Sequence, residues 1–164
     1  MTGYELAKRF DNSVGFFWRA NHQQIYRELR LLDEKAWVSG ETVAQDGRPN
    51  KTIFAITEQG KSELYAWSGF QAELPSIKEE FLLKFYALDR VDLSALTAQV
   101  VQRREQHRER LALYQKILER HYQNEAKLSR VAKGKLMGLK AGLMTETGWL
   151  GWCDDALNML KTLN

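Results

Sequence analysis

From Asp92 onward, apolar residues recur at steps of three and four: Leu93, Leu96, Val100, His107, Leu111, Tyr114 and Leu118, then Leu136, Leu139, Leu143, Leu150, Cys153, Leu157 and Leu160. That spacing lines side chains along one side of an α-helix and is incompatible with the two-residue alternation of a strand. Residues 92–164 are therefore expected to form long helices with narrow, coiled-coil-like seams, which cannot all be buried within one short domain. A homodimer built mainly by this region is the expectation, with Leu96, Val100, Leu111, Leu143, Trp149, Leu150, Cys153 and Leu157 at its interface.

The first 68 residues carry different signals. Thr2 and Glu5 form a capping box, predicting a helix over 3–11. "DNSVGFFW" mixes turn formers with Phe16, Phe17 and Trp18, which suits a connection folded against the core. Asn21 with Gln24 is a second box. The helix it opens places Ile25, Leu29, Leu32 and Ala36 on one face and Gln23, Arg27, Arg30 and Glu34 on the other. "WVSGETVAQ" and "KTIFAIT" are β-prone runs joined by "DGRPN", a hairpin with Arg48 and Lys51 near its tip. Thr57 caps a helix to about Trp67. "SGFQAELP" then breaks the pattern, and Ser76 with Glu79 predicts a helix to about Leu88. The chain divides accordingly into 1–68, a connecting segment 69–91, and 92–164.

Inventory excludes several classes. One cysteine permits no internal disulfide, and three histidines without thiol neighbours give no zinc spacing, so neither metal nor cofactor is expected. No apolar run approaches the ~20 residues of a membrane span, and no apolar signal region follows Met1, so a cytoplasmic protein is expected. Gly-rich phosphate loops, H-E-x-x-H and G-x-S-x-G are missing, which argues against an enzyme. The net charge of +3 splits into 9 basic against 9 acidic residues over 1–68 and 15 against 12 over 69–164. Bulk charge alone does not point to nucleic acid.

Helix, turn, helix, hairpin and helix over residues 2–67 is the order of a winged helix-turn-helix. "TGYELAKRFDNSVGFFWRANHQQIYRELRLLDEKAWV", "GRPNKTIFAITEQGKSEL" and "GLMTETGWLGWCDDALNML" closely resemble PadR-family transcriptional regulators, in particular the branch that includes virulence-gene activators. "HQQIYREL" and "GRPNKTIFAIT" are the most specific parts. The resemblance implies a mainly α fold with a small β-hairpin wing, made of a winged helix-turn-helix domain and a C-terminal helical dimerisation domain. It also implies a homodimer acting on inverted-repeat operators in double-stranded DNA. The family pattern carries a further Leu- and Ile-rich helix ahead of "TGYEL". Either the start is assigned late or the domain lacks that helix, which would expose apolar surface near Leu6, Phe10, Leu29 and Leu32.

A recognition helix entering the major groove presents Asn21, His22, Gln23 and Gln24 to base edges, with Gln able to pair bidentately with adenine and Arg27 reaching phosphate or guanine. Asn21 and Gln24 are also accounted for by capping alone, and His22 fits a packed or phosphate-bonded neutral ring as well as a base reader. By the resemblance Tyr26 gives its hydroxyl to phosphate; otherwise it is a half-buried core ring. Arg48 and Lys51 suit a wing lying along the backbone, and Arg19 and Thr2 are secondary phosphate candidates. Gly148 and Gly151 flank Trp149 and Trp152. They read as a close helix crossing, as do Gly138 and Gly142. Tryptophans near the dimer interface of some relatives stack on aromatic ligands, which leaves room for a small aromatic effector. A helical protein-interaction adaptor without DNA binding is the alternative, though it has no use for a cationic hairpin tip.

Overall fold

The computed structural model describes residues 1–11, 18, 20–47, 50–74 and 78–163. Arg19, Arg48, Ser76 and the Phe16–Phe17 pair lie outside them. The chain divides into two compact units, Met1–Leu74 and Pro75–Asn164.

The first unit runs α1 (Gly3–Asp11), α2 (His22–Glu34), β1 (Val38–Val43), β2 (Lys51–Ile56) and α3 (Glu58–Ser68). The caps act where the sequence places them. Thr2 Oγ1 accepts the Glu5 amide while the Thr2 amide reaches Glu5 Oε2, and Asn21 and Gln24 do the same at 2.8 Å in both directions. Thr57 Oγ1 accepts the Gly60 amide and donates to the Ala36 carbonyl at 2.7 Å, so one side chain starts α3 and fastens it to the end of α2. β1 and β2 pair antiparallel from Val38↔Ile56 to Val43↔Lys51, and Gly47 takes the left-handed conformation (φ 68°) in the turn. Thr2 bridges to Ile53, and Met1 exchanges both backbone hydrogen bonds with Phe54, which adds the start of the chain to the outer edge of β2.

α2 departs from its predicted face at its end. The helix stops at Glu34. Ala36 is exposed and left-handed (φ 56°), its amide bonding the Asp33 carbonyl while the Trp37 amide bonds that of Leu32, the paired bonds of a Schellman ending. Ile25 and Leu29 are buried with Ala7, and Leu6, Phe10, Ala20 and Phe54 pack on them. The apolar surface expected around Leu6, Phe10 and Leu32 is a groove of about 490 Å³, with Trp18 also on its wall. Leu29 itself is only 5% exposed, and Trp18 at 64% is exposed rather than folded into the core. A second apolar groove, of about 520 Å³, lies between Leu32, Trp37, Ile56, Leu64, Trp67 and Phe70. Gly60 is required where α3 crosses the base of the hairpin, because a β-carbon there would stand 1.9 Å from the Trp37 carbonyl oxygen.

The second unit runs α4 (Glu80–Tyr86), α5 (Leu93–His121), a 3₁₀ turn (Glu125–Lys127) and α6 (Arg130–Lys161). α4 begins later than the Ser76 box predicts. Glu79 is the cap itself, accepting the Phe81 amide and an ion pair from Arg103 at 2.9 Å. α4 also belongs to this unit's core. Phe81 is buried with Leu96, Val100, Cys153, Ala156 and Leu160, and Phe85 and Leu88 pack against them.

That core corrects part of the expected dimer seam. Leu96, Val100 and Cys153 are 2% exposed or less within the single chain, so they fasten α5 to α6 and have no surface for a second copy. Leu111, Leu143, Trp149, Leu150 and Leu157 are half-buried. Gly142 is buried, whereas a β-carbon at Gly148 or Gly151 would meet nothing within 4 Å, so those two make no close crossing inside the protomer. Burial also pushes the Cys153 thiol above its ordinary titration range.

Candidate nucleic-acid interface

The capping box turns the first residues of α2 outward. Because Asn21 and Gln24 hold each other's backbone amides, His22 and Gln23 between them are exposed on the first turn, where free N–H groups and the helix dipole favour an anion. Asn21 Oδ1 and Gln24 Oε1 are both engaged in the cap, which leaves their amide NH₂ groups for any further contact. His22 stands edge-on to Tyr4, with ring centroids 6.5 Å apart, and so ties the front of α2 to the first turn of α1.

Tyr26, one turn further on, is 42% exposed, and its ring lies where a Gly3 side chain would have to go, 2.4 Å from a β-carbon there. Its ring is thus packed while part of it reaches solvent. Arg27 is two-thirds exposed and pairs with the adjacent Glu28 at 3.1 Å. An exposed pair of this kind is worth at most about 1 kcal/mol, which leaves Arg27 available to a stronger anion.

The hairpin comes to the same region through α1. Thr2 bridges to Ile53, and exposed Lys51 is two residues along that strand. Lys51 is also among the charges holding the Glu5 carboxyl below its usual range, although the main cause is the Thr2 amide donating to it. Thr2 uses its hydroxyl in the α1 cap. The N-terminus of α1 is thus linked to the front of α2 through Tyr4 and His22, and to the hairpin through Thr2 and the charge of Lys51 on Glu5.

Sequence reading missed Asp33. Its carboxylate Oδ1 accepts the Gly40 amide at 3.0 Å, joining the last turn of α2 to β1. Glu146 was missed as well. It is buried against His107 in the α5–α6 seam, and the signal for it was a carboxylate standing in the phase of Leu139, Leu143, Leu150 and Cys153. Among the described residues no group of acidic, histidine or cysteine side chains could hold a metal ion, and no helix is long and apolar enough to cross a membrane.

The chain matches two family models: the transcriptional regulator PadR-like family over residues 1–66 and the virulence activator alpha C-terminal region over 77–161. It is 34% identical to a probable transcriptional regulator of Mycobacterium tuberculosis over 98% of this chain and 90% of that protein. Among solved structures it is similar to the Vibrio cholerae virulence activator AphA (TM-score 0.82, 29% identity, 99% of this chain and 91% of that one). It is equally similar in fold to Bacillus subtilis PadR in complex with operator DNA (TM-score 0.81, 25% identity, 98% and 91%). The same PadR solved with p-coumaric acid shares the fold at TM-score 0.72, with 24% identity over 98% of this chain and 88% of that one. With a winged first unit, a helical second unit and both models matched in that order, the chain belongs to the PadR-like family of transcriptional regulators.

Proposed function

We propose that this regulator binds double-stranded DNA as a homodimer on an inverted repeat, with the front of α2 in the major groove and the hairpin as a wing on the backbone. The observation that carries this reading is the exposed Gln23 on a capped helix N-terminus, with Thr2, which caps α1, bridging to the strand that bears Lys51. Gln23 and Arg27 are the base-edge candidates; Asn21, His22, Gln24 and Tyr26 support them; Lys51, Arg48, Arg19 and Thr2 are assigned to phosphate. The DNA complex of Bacillus subtilis PadR supports DNA as the ligand.

The dimer is assigned to the outer face of α6. Met137, Ala141, Met144, Gly148 and Gly151 are all exposed and follow one another at steps of four, three, four and three. That is the a/d spacing of a helix–helix seam, with small residues where a partner helix would come closest. The half-buried Leu143 and Leu150 border it. For an effector, the p-coumaric acid complex of PadR makes a small aromatic acid the class to test, with Trp149 fluorescence as the reporter.

Selection of duplexes from a randomised pool, followed by footprinting of the winners, tests the proposal. Two protected half-sites related by two-fold symmetry, about one helical turn apart, are expected. A single asymmetric half-site overturns the geometry, and a pool with no winners replaces DNA binding by the adaptor reading.

A further inference from the structure

We infer that Asp33 is a positioning residue that aims the wing, and the inference rests on the DNA-binding reading above. In β1 the Gly40 position faces Phe54, whose own backbone groups turn the other way, to Met1. The Gly40 amide therefore points out of the hairpin, and the Asp33 carboxylate receives it at 3.0 Å across seven residues of chain. Gly40 is suited to this approach. A β-carbon there would crowd Thr52 Cγ2 at 3.0 Å and Phe54 Cε1 at 3.1 Å, and would come within 3.4 Å of Asp33 Oδ2.

The placement of this bond gives it leverage. A two-stranded hairpin is too small to hold its own direction. Lys51 pairs with Val43, three residues along β1 from Gly40, which is about 10 Å at the usual rise per residue. A swing of about 10° at Gly40 would then move the Lys51 backbone by roughly 2 Å, enough to carry a lysine beyond charge-assisted hydrogen-bond distance of a phosphate oxygen. At the base the hairpin is held by the Thr57 amide on the Trp37 carbonyl and by the Thr57 hydroxyl, both short of the strand itself. β2 is held by Phe54 packing on Ile25 and Leu29 and by Met1 and Thr2 on its outer edge, while the Asp33 carboxylate makes the hydrogen bond from α2 to β1, so it couples the groove-reading helix to the other strand of the wing.

The test measures binding of a duplex won in the selection above, by fluorescence anisotropy across a potassium chloride series. Each lost phosphate contact flattens the log–log salt slope by about 0.9. Lys51→Ala should flatten it by that amount per protomer. Asp33→Ala should flatten it at least as much, because Arg48 rides on the same wing, and the double variant no further than Asp33→Ala, because a misaimed wing has no contact left to lose. Asp33→Asn keeps the acceptor oxygen while removing the charge, so it should hold the wild-type slope. Exchange of the Gly40 amide should quicken in Asp33→Ala and not in Lys51→Ala. The inference is overturned if Asp33→Ala keeps the wild-type slope, or if the two losses add. If Lys51→Ala leaves the slope unchanged while the duplex still binds, the wing itself is misassigned and the role of Asp33 falls with it.

Discussion

Nδ1 of His107 and Oε2 of Glu146 lie 2.5 Å apart in the middle of the α5–α6 seam, both side chains about 95% buried. The imidazole stacks on Trp149 with 5.5 Å between centroids and 7° between planes, and Arg110 approaches the second carboxylate oxygen at 3.5 Å. A polar layer in an otherwise apolar seam is expensive to break by halves. His107→Leu or Glu146→Leu alone should each destabilise the protein by about 1–3 kcal/mol, since the first leaves Glu146 only its longer contact to Arg110 and the second takes away the hydrogen-bond partner of the buried Nδ1. The double variant should cost clearly less than the sum. Urea denaturation of the three variants measures the coupling, and simple additivity would show the pair to be incidental.

Ala36 is a non-glycine residue in the left-handed region at an exposed helix end, which costs about 1–2 kcal/mol. Replacing it by glycine relieves that strain at an entropic cost of about 0.5–1 kcal/mol. Ala36→Gly is thus expected to stabilise the protein by about 0.5–1 kcal/mol, seen as a higher urea midpoint.

Gln23→Ala should lose about 1–3 kcal/mol on the selected duplex and little on random DNA, because a base contact carries sequence and a phosphate contact does not. Arg48→Ala should weaken both duplexes alike and flatten the salt slope by about one unit per protomer. Both variants are expected to keep the proposed dimer, since neither position lies in α6. Wild-type binding by both variants would remove this face from the groove.

Met144→Glu places a charge in the middle of the exposed α6 stripe, next to its copy across any two-fold axis there. Light scattering at micromolar concentration should then show a monomer, and the wild-type chain the proposed dimer. A dimeric Met144→Glu protein would move the interface elsewhere.

Cys153 is fully buried, and burial holds its thiol neutral beyond the pH at which an unfolded chain would ionise it. The folded state binds the proton more tightly, so this group's contribution is intact below the unfolded thiol pKa and declines as pH rises above it. As pH rises above about 8.5, stability should fall more steeply in the wild type than in Cys153→Ala. A thiol reagent should label the folded protein slowly and the unfolded protein at once.

The capping boxes at Thr2 and Asn21, the Thr57 cap and the Asp-Gly turn were legible because each is a local contract among residues within one turn. Ala36 was not: helical periodicity continues an alanine, and no glycine marks the left-handed end. Gly60, the Asp33–Gly40 bond and the His107–Glu146 pair depend on partners 23, 7 and 39 residues away, and a one-dimensional pattern does not say which distant carbonyl or amide will arrive. The seams of α5 and α6 were visible as seams. Their assignment between the α5–α6 contact and an outer face needed the packed pair, because both are written in the same three-and-four spacing.

The hairpin is also guarded on both flanks. Met1 occupies the outer edge of β2 through a reciprocal backbone pair with Phe54, and a carboxylate occupies the outward amide of β1 at Gly40. Unpaired strand edges are the surfaces from which aggregates and strand-exchanged oligomers grow. With one flank paired and the other capped by negative charge, the wing can project into solvent in every unbound molecule without recruiting its neighbours into a shared sheet.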